Sequence, residues 1–326
     1  MITADEIKRL AQASGFDLCA VTSPEQIPHA TERYRQWLEQ GYHGDMAWMA
    51  ASKERRSDPT HLMDGVRSVI MLGLNYYQEN SEPTPKGHAR VSRYARGRDY
   101  HKVVARKIKA FIARIEAAIN RDAVVQNEAE ARFKWWVDYG PFLERAYAEK
   151  AGMGFIGKNS MLINREFGSW FFLAEIVTSI ELEGDTVPDN LHGRCGKCTR
   201  CIDACPTGAI VGDGVVDSRR CISYLTIEHR GDIPDDLASL HGDLLFGCDI
   251  CQEVCPFNQK RAIPTPHEEL LPPHGVGEFI DCKRIVALEG NESFLELTAG
   301  TPLTRPKLDG LIRNARIVLG NAPKQD

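Results

Sequence analysis

Eight of the ten cysteines fall between Cys195 and Cys255, and their spacing limits what this chain can fold into more than any other feature. The first run reads Cys195-x-x-Cys198-x-x-Cys201-x-x-x-Cys205-Pro206. Three thiolates at such intervals wrap a short loop around three corners of a cubane. The fourth, held away by the proline, reaches a second cluster, as in bacterial ferredoxins. A structural zinc site needs only two cysteine pairs and would leave this series unexplained. The second run, Cys248-x-x-Cys251-x-x-x-Cys255-Pro256, repeats the last three quarters of the pattern, with Leu245 where its first cysteine belongs. Cys221, isolated between the runs, is the substitute. Crossing the runs assigns Cys195, Cys198, Cys201 and Cys255 to one [4Fe–4S] cluster, and Cys205, Cys221, Cys248 and Cys251 to the other. Cys19, in an apolar stretch, and Cys282, without metal-binding neighbours, read as structural.

The 326 residues are 43 % hydrophobic and 26 % charged, with a formal net charge of −5. That balance excludes a disordered chain and leaves ample apolar surface for a core. The longest apolar stretches, such as 68–74, are too short to cross a bilayer. The N-terminus has neither the basic region nor the apolar segment of a signal peptide, so a cytoplasmic chain is expected. In that compartment, dense cysteine points to metal ligation. Clusters move electrons without saying what receives them. A ferredoxin alone is far smaller than this chain, so the long segment before Cys195 is the place to look for a second cofactor.

Thr3-x-x-Glu6 is a capping box ahead of a helix with Ile7, Leu10 and Ala11 on one face. Strands are predicted over 16–21, 68–76, 133–137 and 170–178, and helices over 30–40, 102–120 and 141–151. This alternation favours an α/β (α+β) layered domain over 1–188. A ferredoxin-like module with two [4Fe–4S] clusters follows over 189–265, then a short helical tail over 266–326.

The segment Gly152-Met153-Gly154-Phe155-Ile156-Gly157-Lys158-Asn159-Ser160 mimics both a dinucleotide loop and a phosphate loop. It follows a predicted helix rather than a strand, and Asn159 stands where a phosphate loop needs Ser or Thr. What remains is either a close-approach backbone ending in Lys158, Asn159 and Ser160 that clasps a large polar cofactor, or a plain glycine-rich turn. Asp138, in Trp135-Trp136-Val137-Asp138-Tyr139-Gly140-Pro141, also has two readings. It is a helix-start acid with Pro141 in the first turn, or an acid in an apolar setting beside two tryptophans that carries a proton near neutral pH. Arg90, Arg93, Arg96, Arg98, Lys102, Arg106, Lys107 and Lys109 crowd one stretch, and Arg219-Arg220 adjoins Cys221. They form either a local nucleic-acid patch on an otherwise acidic chain or a solvated helix face.

The order of these motifs resembles the epoxyqueuosine reductase family, the cobalamin- and iron–sulfur-dependent enzymes of tRNA queuosine synthesis. The matching residues include Arg56-Ser57-Asp58-Pro59, the stretch 92–101, Val137–Pro141, Leu143–Tyr147, the 152–160 loop, Cys221–Thr226 and Gly247–Gln252. The resemblance implies that domain 1–188 is corrinoid-binding. It also implies that the enzyme reduces the epoxide of epoxyqueuosine at the tRNA wobble position to the alkene of queuosine. Electrons from an external low-potential donor would pass through the clusters to cobalamin, and Asp138 would protonate the departing oxygen. By the same resemblance the corrinoid contacts are Arg56, Tyr94, Asp138, Lys158, Asn159, Ser160, Ser223, Cys248 and Asp249. No D-x-H-x-x-G stretch is present, so a base-off corrinoid without a protein histidine on cobalt is expected. The partner would be the anticodon stem-loop, bound by a monomer with no membrane attachment.

Residues 305–321 resemble the entry into the HEAT-like repeat of longer family members, which is here truncated or absent. Two other classes share parts of the pattern. A corrinoid reductive dehalogenase would carry both cofactors but usually a twin-arginine leader. A ferredoxin-type electron carrier would carry clusters and no corrinoid.

Overall fold

The structure is a computed structural model that describes residues 2–81, 83–122, 131–187 and 195–322. Its strands in chain order are β1 (Leu18–Thr22), β2 (Ser68–Asn75), β3 (His88–Val91), β4 (Phe133–Trp136), β5 (Phe155–Ile156), β6 (Leu162–Ile163), β7 (Phe171–Thr178), β8 (Ile210–Gly212), β9 (Val215–Val216), β10 (Leu244–Phe246) and β11 (Phe279–Asp281). The largest sheet has the order β1-β2-β7-β4. Every pairing in it is antiparallel, with Met71 and Trp136 both opposite Glu175. The body is therefore α+β rather than a doubly wound parallel sheet.

Burial explains why β2 sits centrally: all eight of its residues are buried, so it must be covered on both faces. One face packs on the helices Ala4–Ala13 and Tyr100–Asp122 through Ile7, Ala11, Val104, Ile108 and Phe111. The other meets Phe142, Tyr147 and Ala148 around the helix Glu144–Lys150. The first helix starts as expected, with the Glu6 N–H donating to Thr3 Oγ1 at 3.3 Å. The helix expected from residue 141 begins only at Glu144.

The second sheet, β10-β3-β11, takes one strand from each of the three expected segments, with β10 parallel to β3. The tail is thus not a free helical appendage. Leu311, Ala315 and Val318 of the helix Lys307–Asn321 close a core with Ala89, Val91 and Phe246. Cys282 is fully buried in that core, as a structural cysteine should be. The boundary expected at 188/189 lies outside the described residues.

The basic stretch departs most from its sequence reading. Arg96 is 1 % exposed and pairs with Glu278 and Asn80. Arg90 bonds to Glu278 and Asp243, and Arg93 to Asp249 and Glu253. A guanidinium tolerates burial when carboxylates meet its donor fork, so these three arginines staple the cluster module and tail to the body. Arg98 and Arg106 both pair with Glu269. Only part of the run faces solvent.

Candidate active site and cluster module

The cysteines divide into two neighbourhoods. Burial raises the Cys255 thiol, and Cys195 and Cys198 raise it further, against the Phe257 and Asn258 N–H groups. Cys201 is raised by burial and then by Cys195 and Cys255. On the other side Cys221 is raised by burial and by Cys205. Cys248 is raised by burial, Cys221 and Cys205, and Cys251 mainly by burial, Cys248 and Cys221. As thiolates, groups this close together would need a compensating positive charge, which the iron of a cluster would supply. Local structure serves the same end. Cys221 and Cys255 are the N-caps of the helices Ile222–Ile227 and Pro256–Arg261, and the Ser223, Tyr224, Phe257 and Asn258 N–H groups favour their thiolates. The Ala209 N–H donates to Cys205 Sγ at 3.3 Å. Among the described residues, no three His, Cys, Asp or Glu side chains converge on a point that a single ion would fill. A four-iron cube takes its thiolates at wider separations than a zinc ion does.

The glycine-rich loop joins this module instead of a nucleotide. Its Lys158 N–H donates to Cys195 Sγ at 3.5 Å, and Asn159 Nδ2 donates to the Cys251 carbonyl at 3.3 Å. Gly154 permits the tight β5–β6 hairpin, since a Cβ there would lie 2.4 Å from the Ile163 carbonyl oxygen.

A cavity of about 860 Å³ opens beside the second cysteine group. One wall carries Cys205, Cys221, Cys248 and Cys251. Another is aromatic and apolar, with Tyr34, Trp37, Tyr42, Met46 and Met49. Between them stand Tyr94, Asn159, Ser160, Ser223 and Asp249. Most of the expected corrinoid contacts thus meet in one space, shaped for a large, mainly apolar ligand with a few polar handles. Three do not line it. Arg56 is buried elsewhere, its Nε on Ser52 Oγ and its Nη1 on the Phe142 carbonyl. Lys158 Nζ lies 3.5 Å from Asp213. Asp138 stands outside the lining. Sequence reasoning missed Arg145, which lines the cavity and donates to the Ser160 carbonyl and hydroxyl.

Asp138 follows the end of β4 at φ +65°, with the Tyr139 N–H closing on the Val137 carbonyl at 2.7 Å. That is a γ-turn, a strained conformation held by its surroundings. The turn throws the side chain off the strand, leaving it 62 % exposed. Neither sequence reading of its setting survives: it lies six residues ahead of the helix, and its partners are polar rather than tryptophan faces. It accepts a hydrogen bond from the Tyr100 hydroxyl, and His101 Nε2 lies 3.9 Å away. Tyr100 stacks on Phe172 with ring centroids 4.2 Å apart and meets the edge of Tyr94 at 6.0 Å. Burial, and then the Asp138 charge, holds both phenols well above their usual range, so they remain hydrogen-bond donors. Tyr94 and Tyr100 therefore link Asp138 to the cavity.

Known proteins match this chain over nearly its whole length. Residues 56–138 match the family described as "Epoxyqueuosine reductase QueG, DUF1730", and residues 194–258 match the "4Fe-4S double cluster binding domain". The epoxyqueuosine reductase of Leadbetterella byssophila is 41 % identical, over 96 % of this chain and 97 % of its own. The chain belongs to the epoxyqueuosine reductase family. The Pseudomonas aeruginosa epoxyqueuosine reductase is also 41 % identical, over 98 % of this chain and 86 % of its own. Among solved structures, an epoxyqueuosine reductase with an epoxyqueuosine-modified tRNA-Tyr stem loop superposes with TM-score 0.83 and 29 % identity, over 97 % of this chain and 80 % of that one. An epoxyqueuosine reductase from Bacillus subtilis, in which the loop of a catalytic aspartate is swung out of the active site, superposes with TM-score 0.82 and 29 % identity, over 97 % of this chain and 81 % of that one. Like its relatives, this family member is an oxidoreductase. It carries the domain that binds two [4Fe–4S] clusters. Among the described residues, no helix is long and apolar enough to cross a membrane.

Proposed function

We propose that this chain reduces epoxyqueuosine at the wobble position of tRNA to queuosine, binding the anticodon stem-loop as a cytoplasmic monomer. The observation that carries the reading is the cavity with Cys205, Cys221, Cys248 and Cys251 on one wall and Tyr94 on another. The tyrosine pair connects it to Asp138. A cofactor held there would lie beside the second cysteine group, with the tyrosine pair between it and Asp138.

Cys195, Cys198, Cys201 and Cys255 hold one cluster, and Cys205, Cys221, Cys248 and Cys251 the other. An external low-potential donor fills them with electrons. Cobalamin would fit the cavity, whose lining among the described residues includes no histidine, and would supply a low-valent, nucleophilic metal. Tyr94, Asn159, Ser160, Ser223, Cys248 and Asp249 would hold and orient it. The aromatic wall excludes water from the reaction space. Asp138 gives its proton to the oxygen that leaves the cyclopentane ring, and Tyr100 fixes the direction of that carboxyl. Electrons and protons balance: two electrons and two protons convert the epoxide to an alkene and water.

The test is titration of the anaerobic, cluster-loaded protein with cobalamin, followed by nucleoside analysis of a stem-loop carrying epoxyqueuosine. A base-off spectrum and queuosine formation are expected. A spectrum of cobalamin bound through a protein histidine would contradict the cofactor reading, and clusters without any corrinoid binding would point to an electron carrier.

A further inference from the structure

The two cysteine groups stand differently toward the cavity. Cys205, Cys221, Cys248 and Cys251 line it, and none of Cys195, Cys198, Cys201 and Cys255 does. Electron transfer weakens steeply with distance, so with the second group turned to the cofactor, a cluster on the first group is the one an outside donor meets. The chain leaves that group open on one side. Gly196 and Lys197, between Cys195 and Cys198, are exposed, as are Thr199 and Arg200 just ahead of Cys201. A Cβ at Gly196 would meet nothing within 4 Å. The other side is closed, with Cys195 and Cys255 packed on Phe155, Ile163 and Phe257.

The open side is basic. Arg200 Nη1, on the short helix Arg200–Asp203, donates to Gln259 Oε1 of the helix Pro256–Arg261 at 3.3 Å. That bond brings Lys197 and Arg200 of the first cysteine run beside Lys260 and Arg261, which close the second helix. All four are exposed, and none has a carboxylate partner among the described residues. Two acids stand on the neighbouring helices: Asp203, bonded to the Thr199 hydroxyl, and Glu253, neutralised by Arg93. The balance is a locally positive face on a chain whose net charge is −5. Ile263, two residues past Arg261, is 48 % exposed, its carbonyl held by Asn75 Nδ2 at 2.8 Å. An apolar spot beside a charged rim is the make-up of a protein contact. Exposed, unpaired charges do little for stability, and their reach lies in steering a partner of opposite sign.

We propose that Lys197, Arg200, Lys260 and Arg261 form the docking face for an acidic, low-potential one-electron carrier protein. A carrier seated there sets its reduced centre over the loop 196–200, next to the first cluster. Each encounter moves one electron: the carrier is oxidised by one and the first cluster reduced by one. The electron passes on to the second cluster at the cavity wall, which frees the first for another encounter. Two encounters supply the two electrons of a turnover. A weak, electrostatically steered contact suits this use, because the oxidised carrier must leave before the next arrives. The face serves the carrier rather than the stem-loop, whose reacting base has to reach Asp138, and Asp138 contacts Tyr100 and His101 on the body. The inference rests on the cluster assignment and the external donor of the function proposed above.

The test is stopped-flow reduction of the anaerobic, cluster-loaded protein by reduced flavodoxin, an acidic one-electron carrier. A reduced zwitterionic viologen, which needs no docking face, serves for comparison. For wild type the flavodoxin rate should fall about tenfold from low to high salt, while the viologen rate stays level. Lys197→Glu combined with Lys260→Glu should slow flavodoxin about tenfold at low salt and leave the viologen rate, iron content and thermal melt unchanged. Lys283→Glu combined with Arg284→Glu makes the same charge change on the exposed side of the helix Cys282–Val286 and should not slow it. Equal flavodoxin rates in wild type and the first pair, or equal losses in both pairs, would overturn the docking face. A loss of stem-loop affinity in the first pair, with the flavodoxin rate intact, would also overturn it and make the face a nucleic-acid contact. If the viologen fails to reduce wild type, the cluster reading itself is wrong and the docking face falls with it.

Discussion

The Tyr100 hydroxyl donates to the Asp138 carboxylate across the gap between the long helix Tyr100–Asp122 and the end of β4. Because Asp138 sits in a strained γ-turn and Tyr100 is stacked on Phe172, this one bond sets where the carboxyl points. Tyr100→Phe keeps the stacking and removes the bond. A loss of about 1 kcal/mol in stability and roughly tenfold in turnover is expected, with cluster content unchanged. Thermal melts and initial rates measure both.

Asp138→Asn preserves the shape of the turn, since Asn also tolerates a positive φ. Cobalamin and clusters should bind normally, and turnover should fall by roughly two to four orders of magnitude. Full turnover in this variant would show that another group delivers the proton.

Iron content tests the cysteine assignment. The reconstituted wild type should hold about eight irons per chain, and Cys221→Ala about four, since only one cube loses a ligand. Iron and acid-labile sulfide assays, read beside the visible spectrum, decide this. An unchanged iron count in Cys221→Ala would remove that residue from the ligand set.

His241 gives the fold an acid-sensitive point. It is buried with neither ring nitrogen bonded, and burial, then the Arg313 charge, lowers it to about 4. A histidine depressed below its unfolded value stabilises the native state fully above about pH 6.5. That stability is lost as pH falls toward 4. Wild type should lose about 2 kcal/mol more than His241→Phe between pH 7 and pH 4.5 in denaturant titrations. Parallel curves would exclude the effect.

What could be read from sequence follows from how local each signal is. The cysteine runs carry their ligand spacing within a few residues, and β2 carries its burial in continuous apolar side chains. The expected strand over 133–137 and helix over 102–120 likewise appear with small shifts, as Phe133–Trp136 and Tyr100–Asp122. Asp138 stood out as a residue, but its setting did not, because a γ-turn leaves no periodic signal. Arg90, Arg93 and Arg96 read as a surface patch since their partners Asp243, Asp249 and Glu278 are more than 150 residues away. Glu175 is hidden for the same reason. In the sequence it is one charge in an apolar strand, and only the folded chain sets Gly140 against its carboxyl.

The most direct measurement is a single-turnover reaction under strict anaerobiosis. The protein, loaded with clusters and cobalamin and reduced with a low-potential donor, is mixed with a stem-loop carrying epoxyqueuosine, and the nucleosides are resolved by mass spectrometry. Conversion of the epoxide to queuosine, with loss of one oxygen and dependence on Asp138, is the predicted result. An intact epoxide, while the same preparation dehalogenates a halogenated phenol, would contradict the account.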